Sequence, residues 1–162
     1  MDQDSTECIL GDATDRIPQE LRIMFGTLVL FRTIEERMDE LNVENPLSKP
    51  ARHMLVNLGV PRRMGQMAED LNTQPSAVTA VADDLEARGL VARERIPEDR
   101  RAWQLRLTEE GEATRRALIE TTARIFRDIT DLNAAEIESF ATLMDKVAEH
   151  ILKTGRPKGL TL

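Results

Sequence analysis

The sequence predicts a mainly α-helical fold with a small β-wing: a winged helix-turn-helix carrying N- and C-terminal dimerisation helices. Three observations predict it. Two stretches patterned as helices, 64–71 (MGQMAEDL) and 76–88 (SAVTAVADDLEAR), are separated only by Asn72-Thr73-Gln74-Pro75. That break is too short for a long antiparallel hairpin, so the two helices must cross. Two short stretches that alternate apolar and charged residues follow, 91–96 (VARERI) and 103–107 (WQLRL), and the charged turn Pro97-Glu98-Asp99-Arg100-Arg101-Ala102 joins them into a hairpin. On both sides lie helices longer than so small a unit can cover.

In chain order, residues 1–16 open with five acids (Asp2, Asp4, Glu7, Asp12, Asp15) and no base before Arg16, which predicts a disordered acidic tail. A helix over 17–41 follows, with Pro18 in its first turn and Ile17, Leu21, Met24, Leu28, Phe31, Met38 and Leu41 along one face. Its middle, 23–31, is apolar nearly all round. A helix of that kind is buried on more than one side, and a second subunit is the natural cover. Pro46 closes a loop, Ser48 can cap a helix with Pro50 early in it, and Ala51, Met54, Leu55 and Leu58 face inward until Gly59 and Pro61 end it. In the second of the crossed helices Pro75 suits the first turn, and Val78, Val81, Ala82 and Leu85 recur at i, i+3, i+4 and i+7. Gly89 reads as the residue after the helix cap, with Leu90 as its hydrophobic follow-on. Thr108 caps a helix that runs to about Thr130, with Glu109 and Glu110 favourable to its dipole. Asn133 and Glu136 form a capping box for a last helix, whose stripe is Ile137, Phe140, Ala141, Met144, Val147, Ala148 and Ile151.

Composition narrows the function classes. A chain of 162 residues with 41% hydrophobic and 31% charged residues is one globular domain by length. Aromatics are 3% and tyrosine is absent, so the core must be aliphatic and methionine-rich. No stretch is long and apolar enough to span a membrane and the N-terminus lacks a basic region, which predicts a cytoplasmic protein. The single cysteine, Cys8, excludes an intrachain disulfide and a multi-cysteine metal cluster. It follows Glu7 in an acidic segment, a poor place to lower a thiol pKa, so no sensing role is expected of it. His53 and His150 fall on separate helices and no Gly-rich phosphate loop occurs; no catalytic residue, metal site or cofactor is expected.

The net charge of −7 opposes contact with nucleic acid, but its distribution does not. Residues 2–15 take five of the 29 acids and no base, which leaves 24 acids against 22 bases elsewhere. Between 88 and 106 the balance reverses: Arg88, Arg93, Arg95, Arg100, Arg101 and Arg106 face only Glu94, Glu98 and Asp99. A local basic edge is what phosphate contact requires. On the helix beginning at Pro75, Ser76, Ala80 and Asp83 point away from the apolar stripe with Ala77 and Thr79 on its flanks. Short side chains there let a helix approach base edges closely. An arginine pair at a hairpin tip is by itself an ordinary solvated turn. Joined to this turn and this helix, it suits a minor groove or a phosphate pair.

The runs AEDL, PSAVTAVADDLEARGLV and PEDRRAWQLRLTEEG resemble the multiple-antibiotic-resistance regulator family, MarR. Its pattern is a recognition helix ending in L-E-x-x-G-L-V, a D-x-R wing and L-T-x-x-G. Here these are Leu85 to Val91, Asp99-Arg100-Arg101, and Leu107 to Gly111. The resemblance implies a dimer that places two recognition helices in successive major grooves of a pseudo-palindromic double-stranded DNA operator. DNA contact falls to Gln74, Ser76, Ala77, Thr79, Ala80, Arg95, Arg100 and Arg101, with Arg101 in the minor groove. Asp83 and Asp99 are expected to brace the wing, Asp83 through a nearby arginine. A small-molecule effector pocket is implied as well, with Met24, Leu28, His53 and Trp103 as its candidate walls. The domain reading is then a tail at 1–16, an N-terminal dimerisation helix at 17–47, the winged helix at 48–107, C-terminal dimerisation helices at 108–154 and a flexible tail at 155–162. The function implied is a dimeric repressor released by an effector. Family members often carry arginine where this chain has Ala80 and Asp84, and those absences support a second reading, a winged-helix protein-interaction module with weak or no DNA binding.

Overall fold

The computed structural model describes residues 17–41, 46–71, 73–96 and 99–154, of which 99–101 and 152 are described by their backbone alone. The chain divides into two compact units at Leu41. The first contains helix α1, Gln19–Leu41. Pro18 stands just ahead of this helix instead of inside its first turn, because its carbonyl accepts the opening helical bonds from the N–H groups of Leu21 and Arg22 at 3.1 and 3.2 Å. Along α1 the apolar residues Leu21, Ile23, Met24, Leu28, Val29 and Phe31 are exposed.

The second unit is built around a winged helix-turn-helix. Its elements are α2 (Lys49–Asn57), β1 (Arg62–Arg63), α3 (Met64–Asp70), α4 (Pro75–Ala87), β2 (Val91–Ile96), β3 (Asp99–Leu107), α5 (Glu109–Thr130) and α6 (Ala134–Thr154). The Ser48 side chain caps α2 by accepting the N–H of Ala51 at 3.3 Å. This directs Ala51, Met54, Leu55 and Leu58 inward, where they meet Met67 of α3, Val78, Ala82 and Leu85 of α4, and Val91 and Leu105 of the sheet. The core is therefore aliphatic with two methionines, Met54 and Met67, at its centre.

The three strands are antiparallel in the order β1-β3-β2. Val91 pairs with Leu107, Arg93 with Leu105 and Arg95 with Trp103, after which the register slips so that Ile96 pairs with Asp99. β3 thus begins at Asp99, ahead of the Trp103 at which alternation begins in the sequence. Pairing across the slip carries the strand into residues whose charge reads as turn, and the irregularity bends the hairpin.

Two motifs interlock where the wing ends. Gly89 has φ +71°, the left-handed conformation that glycine adopts freely. Its N–H bonds to the Glu86 carbonyl at 2.9 Å while the Leu90 N–H returns to the Leu85 carbonyl at 2.9 Å, a Schellman termination of α4. The Thr108 hydroxyl donates to the Gly89 carbonyl at 2.6 Å and accepts the Gly111 N–H at 3.0 Å, so one side chain both caps α5 and holds the end of α4. The Leu90 carbonyl, which accepts the Thr108 N–H at 3.1 Å, lies so close to Gly111 that a Cβ there would stand 1.9 Å from its oxygen.

α5 runs out from this junction and ends at Asp131, whose φ is +53°. Asn133 then caps α6: its Oδ1 accepts the N–H groups of Ala135 and Glu136 at 3.0 and 3.1 Å, and Glu136 accepts the Asn133 N–H at 2.8 Å. Phe126 of α5 stacks on Phe140 of α6 with ring centres 6.3 Å apart. No described residue of α6 is buried, and Leu143 and Val147 are exposed. Among the described residues, no helix is long and apolar enough to cross a membrane.

Candidate nucleic-acid interface

α4 presents its outer face because Val78, Ala82 and Leu85 anchor the opposite one. Gln74, Ser76, Ala77, Thr79 and Ala80 are all exposed. Gln74 occupies the cap position of α4 without using its side chain for capping, and Pro75 needs no partner for a missing N–H. Thr79 returns its hydroxyl proton to the Pro75 carbonyl at 3.0 Å, which leaves its oxygen able to accept. The face is small, polar and free of bulky side chains, the shape that lets a helix lie deep in a groove.

Charge is distributed differently from the linear count. Arg88 pairs with Asp84 at 3.0 Å, Arg106 with Glu94 at 2.8 Å, and Arg93 with both Asp83 and Glu86. Arg88, Arg93 and Arg106 are thus engaged by carboxylates, and three of those carboxylates come from α4. Counting acids only within the strands missed them, because helix positions 83, 84 and 86 come beside the sheet only in the fold. The hydrogen bond to Asp83 first, with the charge of Glu86 adding to it, raises the Arg93 guanidinium above its ordinary pKa, so it is charged at every physiological pH. Arg95 lies over the exposed Trp103 ring, 4.7 Å from its centre. Asp99, Arg100 and Arg101 form the start of β3, and their side chains lie outside the described residues.

Of the four candidate walls of an effector pocket, His53 and Trp103 lie in the second unit. His53 lines a cleft of about 300 Å³ between α2 and the α3–α4 turn, with Lys49, Leu71, Ala77 and Val81. Trp103 belongs to the wing and lines no part of that cleft. Met24 and Leu28 are on α1, in the first unit. A second, open cleft of about 380 Å³ is lined by Val56 at the end of α2, Ile119 and Phe126 of α5, and Ile137 of α6, with Arg127 beside them. No signal in the sequence singled it out, because its walls are ordinary stripe positions of three helices. Among the described residues, no cluster of three His, Cys, Asp or Glu side chains could hold a metal ion.

Residues 60–103, from just before β1 to the middle of β3, match the model of the MarR family. Over 88 residues the chain is 34% identical to the HTH-type transcriptional repressor MdtR of Bacillus subtilis, a match covering 54% of this chain and 57% of that repressor. The chain thus spans a little over half the length of that relative. Among solved structures, the transcriptional regulator BldR from Sulfolobus solfataricus superposes with a TM-score of 0.66 at 26% identity, over 82% of this chain and 96% of BldR. The organohalide-sensing regulator RdhR-CbdbA1625, solved with 2,4-dichlorophenol bound, has the same fold at a TM-score of 0.64 and 16% identity, over 98% of this chain and 96% of that one. Crossed helices, wing, interlocked Gly89 and Thr108 motifs and these likenesses agree: the chain has a winged helix-turn-helix fold, and its segment 60–103 is similar to the MarR family of transcriptional regulators.

Proposed function

We propose that this protein is a homodimeric transcriptional repressor that binds a pseudo-palindromic DNA site through α4 and the wing and is released by a small-molecule effector. The observation that carries the DNA reading is the outer face of α4, where Gln74, Ser76, Ala77, Thr79 and Ala80 are small or polar, exposed and unobstructed beside a hairpin that bears Arg100 and Arg101. The likeness to the repressor MdtR supports the direction of regulation. Dimerisation is supported by the exposed apolar residues of α1 and by Leu143 and Val147 of α6, which a monomer would leave in water. Effector release is supported by the clefts beside His53 and Phe126 and by the phenol ligand of RdhR-CbdbA1625.

One observation favours the protein-interaction reading: Asp83 and Asp84 stand on the recognition helix, and the arginines nearest to them are engaged by carboxylates. Salt dependence separates the two readings. Selection of bound fragments from genomic DNA with the purified protein, followed by polarisation titrations at several salt concentrations, should yield a two-fold-related site whose affinity falls steeply with salt. Failure to enrich any sequence, with no salt-dependent binding, would favour the interaction module.

A further inference from the structure

We infer that Trp103 is a DNA-backbone contact that also presents Arg95 to a phosphate, a role in binding separate from that of the hairpin tip; the inference rests on the DNA-binding reading above. Trp103 is the chain's one tryptophan. It is 45% exposed and lines neither of the two clefts described above. A lone exposed aromatic needs no explanation by itself. The place of this one on the wing, and its partner, supply one.

Side chains two residues apart on a strand share a face. Arg93 reaches Asp83 and Glu86 of α4, so the face of the hairpin that holds Arg93 and Arg95 is the one turned toward the recognition helix. Trp103 pairs with Arg95 across the hairpin and lies on that face as well. From the root outward, the pairs on this face are Val91 with Leu107, Arg93 with Leu105 and Arg95 with Trp103. Leu107 and Leu105 are buried whereas Arg95 and Trp103 are exposed, so the core ends at the pair before theirs. The two grooves of a duplex are separated by a sugar–phosphate backbone. With α4 in the major groove and the hairpin in the flanking minor groove, that backbone passes between them, along the face of the wing that carries Trp103. A guanidinium binds a ring through its face and a phosphate through its edge, so Arg95, 4.7 Å from the ring centre, can do both at once. The ring limits the rotation of a long, flexible side chain, and its uncovered surface is left for the apolar side of a deoxyribose.

Because the chain has no other tryptophan, its emission reports on this ring alone. A selected operator fragment, titrated into the parent, is expected to change that emission and to shield it from a dissolved quencher such as acrylamide, with the midpoint that polarisation of the labelled DNA gives for binding. Affinities across a salt series are then compared for the parent, Trp103→Phe and Trp103→Leu, with melting temperatures to check folding. Phenylalanine keeps a ring face and should bind within about twofold of the parent, whereas leucine, apolar but without a ring, should bind about threefold more weakly per subunit, or about tenfold for a symmetric dimer. The leucine variant should also lose about one unit of salt slope per subunit, as Arg95 ceases to hold its phosphate. A loss that came only from packing would move neither the slope nor the shielding. If Trp103→Leu melts early, the emission and shielding of the parent decide alone. Emission and quenching that stay constant while the operator saturates overturn the inference, and so does equal affinity of the folded phenylalanine and leucine variants. Both results leave the DNA-binding reading intact, whereas a parent that binds no DNA at any salt concentration overturns that reading and the inference with it.

Discussion

Gly111 shows how a single position acquires its residue. With the Leu90 carbonyl 1.9 Å from where a Cβ would stand, any side chain must push the first turn of α5 off the end of the wing. Gly111→Ala should lower stability by about 1–3 kcal/mol, the usual cost of overpacking, read from chemical denaturation. Gly65, with nothing within 4 Å of a Cβ, is the control and should change stability by less than about 1 kcal/mol. The L-T-x-x-G pattern marks Gly111 in the sequence but not its reason, because the oxygen that excludes a side chain belongs to the far end of the preceding helix–wing junction. Gly89 differs: its place after a helix-ending arginine already announces a positive φ, and φ is +71°. Thr79 and Ser76 belong to the same scale. On the proposed function, substituting either should change which bases are preferred in a selection experiment while leaving the salt slope almost unchanged, since neither carries charge to a phosphate.

Elements were legible wherever one signal dominated. Ser48 and Asn133 open helices because their side chains satisfy N–H groups the helix leaves unpaired, and the capping bonds of Asn133 are present at 3.0 and 3.1 Å. Asn133→Ala should therefore cost about 1 kcal/mol, seen as a lower melting temperature with unchanged DNA contacts. The start of β3 was not legible. Residues 97–102 carry the composition of a turn, and only cross-strand pairing, a long-range term, draws Asp99 to Ile96. Electrostatics failed at the same place for a related reason: a count along the chain cannot see that α4 supplies acids to β2.

For the whole molecule, the exposed apolar residues Met24, Leu28 and Phe31 of α1 are the feature the chain alone does not explain. If α1 belongs to a dimer interface, Leu28→Asp would put an unpaired charge there, which is costly. The variant should scatter light as a monomer or melt well below the parent, and a dimer of unaltered stability would contradict the assignment. The fold could be read from about a third of the sequence, since helix caps, the Gly89 stop and alternating strands are local signals. The effector pocket could not, because residues chosen for chemistry, such as His53 and Trp103, carry no local signal of which cavity they line; His53 lines the cleft beside the α3–α4 turn. The central claim is that α4 and the wing together grip DNA, and it is tested most directly by titrating a selected operator with the parent and Arg101→Ala across a range of salt concentrations. Each lost phosphate contact lowers the slope of log affinity against log salt by about one, so the symmetric dimer should lose about two along with affinity. If folded, dimeric Arg101→Ala binds as tightly as the parent at every salt concentration, the wing is not part of a DNA interface.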